Sequence, residues 1–245
     1  MSVCAVIPVY NHARAVGAVV DGVRRHGLPC ILVDDGSDAE CAAVLDAIAA
    51  ANPGDVRILR LPQNSGKGAA VTAGLREALK EGYSHALQID ADGQHDTSDI
   101  PGFLDASRAH PDALICGVPV YDETVPKNRL IGRYATHLWV WINTLSFEIR
   151  DSMCGFRIYP LKSTVALLDS ARLGRRMDFD TEVLVRLHWR GAKIVSRPTR
   201  VRYPADGVSH FRLWDDNVRI SWMHARLFAG MLVRLPMLLW RKVQP

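Results

Sequence analysis

Asp90-Ala91-Asp92-Gly93-Gln94-His95 holds two carboxylates one residue apart, at the end of an apolar run (Ala86, Leu87, Ile89) that reads as a buried strand. Two acids that leave a strand and enter a glycine turn can face one point in space. Hard divalent cations favour that arrangement, because Mg²⁺ is held through one or two carboxylates plus the oxygens of a phosphate. A plain turn with solvated acids has the same composition, so the meaning of the segment depends on what else the chain brings to it.

Other segments carry candidate chemistry. Asp35, in Asp34-Asp35-Gly36-Ser37, could accept hydrogen bonds from a base N–H or a ribose hydroxyl, and the same residues suit a helix cap and turn. Asn64-Ser65-Gly66-Lys67-Gly68 could bring backbone N–H groups and the Lys67 charge to a phosphate, or form a glycine turn with a solvated lysine. Its spacing is not that of a Walker A loop. Tyr10, after Pro8, could stack on a base or simply pack at a strand end. Asp180 and Glu182 are candidate bases, or favourable charges at a helix N-terminus. His95, His188 and His210 lack metal-ligand spacing and read as structural or solvent-facing, and Cys154 has no activating base nearby in sequence.

The elements that must position these residues alternate. Strands are expected over Val3–Val9, Cys30–Val33, Val56–Leu61 and Ala86–Ile89. Helices are expected over Ala13–His26 and Ala39–Ala51, and from the Gly66 turn to about Glu81. That alternation argues for βαβ units and a parallel sheet, in which ligands bind outside the carboxyl ends of the strands. Each of the four strands ends in a loop carrying Asp, Asn, Tyr or Gly, the strongest residue-level pointer to a nucleotide site. Beyond them the pattern predicts a helix over 98–109, a strand over 113–117 and a helical stripe over 129–147. Further helices are expected over 161–168 and 181–190, with an edge-type strand over 193–203.

The 245 residues suffice for one large α/β domain, and 48% apolar with 23% charged residues argues for a globular core. Five scattered cysteines without C-x-x-C spacing point to reduced thiols, and neither a signal-peptide pattern nor a membrane-spanning run is present, so a cytoplasmic protein is expected. Residues 1–120 carry 9 Lys and Arg against 15 Asp and Glu, whereas residues 121–245 carry 21 against 11. The basic half is either a solvated face or a surface for anionic lipid or phosphate. No nucleic-acid-binding motif accompanies it, so no nucleic-acid partner is expected.

In this order, Pro8-Val9-Tyr10-Asn11, Asp34-Asp35-Gly36-Ser37, Asn64-Ser65-Gly66-Lys67-Gly68 and Asp90-Ala91-Asp92-Gly93-Gln94-His95 resemble family 2 glycosyltransferases. The nearest branch contains dolichyl-phosphate mannose synthases and undecaprenyl-phosphate sugar transferases. Cys154-Gly155-Phe156-Arg157-Ile158-Tyr159 and Phe179-Asp180-Thr181-Glu182-Val183-Leu184 resemble later motifs of that branch. The resemblance implies an α/β nucleotide-diphosphosugar transferase (Rossmann-like) fold, with a mostly parallel central sheet flanked by helices. It also implies a UDP- or GDP-sugar donor, Mg²⁺ or Mn²⁺, and a single inverting displacement onto a lipid-linked or other membrane-proximal acceptor.

By the same resemblance, Pro8, Tyr10 and Asp35 would hold base and ribose. Asn11, Val33, Lys67, Asp90 and Ala91 would complete the nucleotide-sugar contacts, and Arg186, Arg202 and His210 would close over the donor. Asp90, Asp92 and Gln94 form the implied metal set, and Arg129 and Arg133 the acceptor-phosphate pair. Asp92 and Asp180 are the implied catalytic residues, with Asp180 as the base if the acceptor is a hydroxyl. Two positions depart from the branch: His12 stands where an acid is common, and Ser209-His210-Phe211 replaces a Ser-Lys-Leu-like segment. Residues 1–212 are expected to form the catalytic domain, with a nucleotide-sugar half (1–120) and an acceptor half (121–212). Residues 213–245 would be a basic amphipathic helical extension that meets a membrane as a peripheral contact or packs on the core. The alternative is a non-catalytic membrane-associated nucleotide-binding module. A sugar-phosphate nucleotidyltransferase is disfavoured, because Tyr10-Asn11-His12 stands where its basic glycine-rich loop would be.

Overall fold

The computed structural model describes residues 1–121, 127–202 and 212–243, the side chains of 127–131 excepted. Four strands, β1 (Val3–Val9), β2 (Cys30–Asp34), β3 (Val56–Arg60) and β4 (His85–Gln88), alternate with helices α1 (Ala13–Arg24), α2 (Ala39–Ala51) and α3 (Lys67–Lys80). There follow α4 (Ile100–Ala109), β5 (Leu114–Tyr121), α5 (Lys127–Thr144), β6 (Arg157–Pro160), α6 (Leu161–Ser170), α7 (Phe179–Trp189), β7 (Ile194–Val201) and α8 (Leu213–Val243). All seven strands form one sheet in the order β3-β2-β1-β4-β6-β5-β7.

β1 pairs in parallel with β2 and β4, β2 with β3, and β5 with β7. β6 runs antiparallel to both of its neighbours. It is also the strand that residue patterning does not reveal. Arg157-Ile158-Tyr159-Pro160 is only four residues long and shows no period, and it becomes a strand because β4 and β5 flank it on both sides. β5 runs four residues past its expected end because β7 pairs with it in register from Leu114↔Ile194 to Tyr121↔Val201. β7 lies at the sheet edge, as its composition predicts.

Each helix is held by its apolar stripe. Val16, Val19, Val20 and Val23 of α1 pack with Leu45 of α2 and Ile100 and Phe103 of α4 on one face of the sheet. α3, α6 and α7 cover the other face, joined by Val140 of α5 and by Met223, Leu227, Met231 and Leu238 of α8. α8 therefore does pack on the core. Burying a side chain of that size is worth about 1.5–3 kcal/mol, so four of them are enough to dock the helix. The same helix leaves Trp214, Trp222, Leu232 and Trp240 exposed. Among the described residues, no helix is long and apolar enough to cross a membrane.

The chain moves from β1 outward to β2 and β3, then returns to place β4 on the other side of β1. The strand order reverses there, and the crevice above the ends of β1 and β4 is where such sheets bind ligands.

Candidate functional site at the strand ends

A cleft of about 400 Å³ opens at that reversal point. Pro8, Tyr10 and His12 enter it from the end of β1, Asp35 from β2, Gly66 and Lys67 from the start of α3, and Asp90, Ala91, Asp92 and Gln94 from β4. Four loops far apart in sequence thus meet because parallel strands all end on one side of the sheet.

Asp35 is 3% exposed and accepts hydrogen bonds from the backbone N–H groups of Ser65 (2.7 Å) and Gly66 (2.8 Å). Burial pushes its carboxyl above the usual range, although those two N–H donors oppose the shift. It ties the β2 end to the loop that carries Lys67. Gly66 has φ 99°, and a Cβ on it would lie 2.5 Å from the carbonyl oxygen of Arg175. Only glycine admits both that backbone and that approach.

Lys67 Nζ lies 2.8 Å from Asp90 Oδ2 and 2.8 Å from Asp180 Oδ2. Burial alone would lower its pKa, but the charges of Asp180 and Asp90 outweigh this and raise it, so the ammonium stays charged. Asp180, 4% exposed, also accepts from Gln88 Nε2 at 3.1 Å, so both of its oxygens are engaged. Asp180 does not line the cleft wall; it stands behind Lys67. Arg157, with no exposed surface, donates to the carbonyls of Asp180 (2.6 Å) and Ser152 (2.7 Å). Tyr159 donates to Gln88 Oε1 at 3.0 Å. A buried cation and a closed chain of hydrogen bonds thus brace the floor of the site.

Asp90 differs from Asp180 in one respect. Its Oδ1 is buried and has no hydrogen-bond partner. Burial raises the Asp90 pKa, but Lys67 and His95 together with Arg157 outweigh it, so the carboxyl is held below its usual value. Burial and the Asp90 charge push Asp92 up, and Asp92 Oδ1 accepts from the Gln94 N–H at 3.0 Å. A buried, unpaired carboxylate oxygen beside a second carboxylate and an amide is a hard-oxygen donor set that fits Mg²⁺ or Mn²⁺. Among the described residues, no three His, Cys, Asp or Glu side chains converge into a self-sufficient cage. The set is therefore incomplete without oxygens from a ligand.

Other expected residues fall elsewhere. The Asn11 side chain accepts from the Asp38 N–H at 2.8 Å and its own N–H donates to Ser37 Oγ at 3.1 Å, tying the β1 and β2 loops together. Val33 belongs to β2 and is fully buried in the core. Arg186 pairs with Glu182 at 2.7 Å. Arg202 is exposed, and its N–H reaches the carbonyl of Gln94 at 3.0 Å. Arg133 forms a two-pronged ion pair with Asp151, one prong at 2.7 Å, and His137 lies 3.2 Å from the same carboxylate. His210 and the Arg129 side chain lie outside the described residues. His95 stacks on Phe156, with ring centroids 5.4 Å apart. Cys154 is buried, and burial pushes its thiol up to about 12, which removes it as a nucleophile.

The cleft also contains residues that no sequence pattern singles out. Arg176 and Met177 come from the loop before α7, and Arg212 and Asp216 from the start of α8. Fully buried Glu182 holds the α7 loop through the Gly174 N–H at 2.7 Å. A Cβ on Gly155 would lie 2.4 Å from Asp90 Oδ2, so that glycine lets β6 approach the acid.

An acidic pair, a lysine and an aromatic gathered at the switch point of a mostly parallel sheet make a ligand site of the kind such sheets build outside their strand ends. The profile of glycosyl transferase family 2 matches residues 4–166, and the chain belongs to that family. It is 28% identical over 208 residues to undecaprenyl-phosphate mannosyltransferase of Micrococcus luteus, a match covering 81% of this chain and 82% of that one. It is 32% identical over 160 residues to polyprenol monophosphomannose synthase of Mycolicibacterium smegmatis, covering 63% of this chain and only 60% of the relative. It shares its fold with glucosyl-3-phosphoglycerate synthase of Mycobacterium tuberculosis, solved with Mn²⁺ and UDP-glucose. That match has a TM-score of 0.68 at 15% identity and covers 95% of this chain and 78% of the other.

Proposed function

We propose that this family 2 glycosyltransferase is metal-dependent and inverting, and that it moves a sugar from a UDP- or GDP-sugar to a polyprenyl-phosphate-like acceptor at a membrane surface. The observation that carries the reading is the cleft itself, lined by Lys67, Asp90, Asp92 and Gln94, in which Asp90 keeps one buried carboxylate oxygen without a partner. Pro8, Tyr10 and Asp35 bind base and ribose, Arg176 adds positive charge near Asp35, and Lys67 faces the diphosphate. Asp90, Asp92 and Gln94 would hold Mg²⁺ or Mn²⁺ beside the donor. A bound divalent cation supplies Lewis-acid neutralisation of the charge that develops on the leaving nucleoside diphosphate.

The pairing of Asp180 favours a phosphate acceptor. An acid whose two oxygens are occupied by Lys67 and Gln88 is poorly placed to take a proton, and a phosphate oxygen needs no base to attack. The relatives named for polyprenol and undecaprenyl phosphates support the same acceptor class. In this reading residues 1–120 serve mainly the donor and 121–212 the acceptor, with Arg129 and Arg133 on the acceptor side. The exposed tryptophans of α8 and its basic residues meet the membrane as a peripheral contact.

The test is a donor-hydrolysis and transfer screen with the purified full chain. It covers UDP- and GDP-sugars with Mg²⁺, Mn²⁺ or EDTA, and vesicles with or without polyprenyl phosphate. One nucleotide class should be consumed, transfer should require the lipid phosphate, and EDTA or Asp92→Ala should abolish both reactions. Full activity of Asp92→Ala with metal present would remove the metal assignment, and nucleotide binding by calorimetry without any hydrolysis or transfer would favour a non-catalytic nucleotide-binding module.

A further inference from the structure

Lys67 has an environment that phosphate binding alone does not explain. Its ammonium is shared evenly between two carboxylates, Asp90 and Asp180, each 2.8 Å away. The two partners are held very differently. Asp180 is locked in place by Gln88 at its second oxygen and by Arg157 at its carbonyl, and Tyr159 in turn holds Gln88. Asp90 has Lys67 on one oxygen and nothing on the other, which is buried. A monovalent cation thus bridges an acid whose oxygens are both engaged and one with an oxygen to spare, and the latter belongs to the set that suits a divalent cation.

We propose that Lys67 is a resident counter-cation that competes with the divalent cation for Asp90, and that Asp180 is the positioning residue that keeps Lys67 in the cleft once Asp90 is taken. This rests on the reading that Asp90 binds metal. Two cations cannot share Asp90 at contact distance without repulsion, which in a partly buried site is only weakly screened. When a divalent cation engages Asp90, Lys67 gives up that bond, keeps its bond to Asp180, and has donor capacity free for a diphosphate oxygen. Three ammonium donors make this exchange of partners possible without moving the lysine out of the site. The consequence is cooperative binding of metal and donor. Without donor, Lys67 holds metal affinity down; with donor, the diphosphate accepts the displaced ammonium and metal and nucleotide bind together. Asp180 acts through Lys67 and does not touch the reacting atoms.

Mn²⁺ titration of the donor-free protein, followed by electron paramagnetic resonance or calorimetry, tests this without any turnover. Lys67→Met should bind Mn²⁺ more tightly by about tenfold or more, since the competing charge is gone. Its affinity for UDP or GDP in saturating Mn²⁺ should fall over the same comparison. These opposite signs are what a merely structural ion pair does not produce, because general loosening lowers both affinities. Lys67→Met strands the buried Asp180 charge and risks misfolding, so the double variant Lys67→Met with Asp180→Asn, which removes both charges, is measured beside it. Asp180→Asn alone should weaken Mn²⁺ binding, since Lys67 then has Asp90 as its one carboxylate, and Lys67→Arg should stay near wild type. Equal or weaker Mn²⁺ binding by both Lys67→Met proteins, with wild type binding measurably, overturns the competition while leaving the metal site standing. Absence of Mn²⁺ binding in every protein, with and without nucleotide, overturns both readings.

Discussion

Replacing Gly155 by alanine adds one methyl group against one acid. The Cβ would lie 2.4 Å from Asp90 Oδ2 and 2.7 Å from Oδ1, roughly 1 Å short of ordinary contact. The Gly155 backbone is not in the left-handed region, so alanine meets no conformational penalty and the whole cost falls on the clash. Asp90 is short and tied to Lys67, so its carboxylate must leave its rotamer or pull the lysine with it. An off-rotamer side chain costs about 0.5–1.5 kcal/mol and overpacking about 1–3 kcal/mol, which the fold survives. A displacement of about 1 Å in a group that orients reacting partners can cost about 100-fold in rate. Gly155→Ala should therefore keep a cooperative thermal transition within several degrees of wild type and lose roughly two orders of magnitude in metal-dependent donor hydrolysis. If the variant retains activity within about threefold, the position of the Asp90 carboxylate is not what the reaction depends on.

Three further outcomes follow from named contacts. Asp35→Asn leaves one oxygen to serve two backbone donors, Ser65 and Gly66, and should cost about 1–3 kcal/mol in denaturant-measured stability; a loss below about 0.5 kcal/mol would show that the loop does not depend on that carboxylate. Glu182→Gln breaks the pairs with Arg186 and Arg226 at a fully buried site and weakens the hold on the Gly174 N–H. It should cost about 3–5 kcal/mol and raise the donor KM through the loosened Arg176 loop, and an unchanged KM would separate that loop from the donor. Burial lowers the His224 pKa from 6.5 to about 4, so the folded state favours the neutral ring. Its contribution is fully present above pH 6.5 and is lost as the pH falls toward 4, by at most about 3 kcal/mol, because only the unfolded chain takes up the proton in that window. The stability difference between wild type and His224→Gln should therefore drift with pH only over that interval, and a flat difference would refute the assignment.

Much of the cleft lining was legible because it is local. Each strand of the first half is a short apolar run, and its loop residues follow directly in sequence, so Pro8, Tyr10, Asp35, Lys67, Asp90, Asp92 and Gln94 could be named before their meeting point was known. The parallel order follows from the alternation with helices. The partner of Arg133 was not legible in the same way, because the fold pairs it with Asp151. Asp151 lies 18 residues away in sequence, and no periodicity links the two.

The residues of the amino-terminal half thus determined by themselves a parallel sheet with acids, a lysine and an aromatic at its strand ends, because backbone period and turn chemistry are written within a few positions of each other. Tertiary structure alone decided the rest. β6 is a strand only between β4 and β5, and its glycine neighbour Gly155 matters only because Asp90 stands beside it. Arg176 and Arg212 reach the cleft only because α7 and α8 fold back onto the sheet. Lys67 bridges Asp90 to an acid 113 residues further along the chain because burial leaves two carboxylates no cheaper partner than one shared cation.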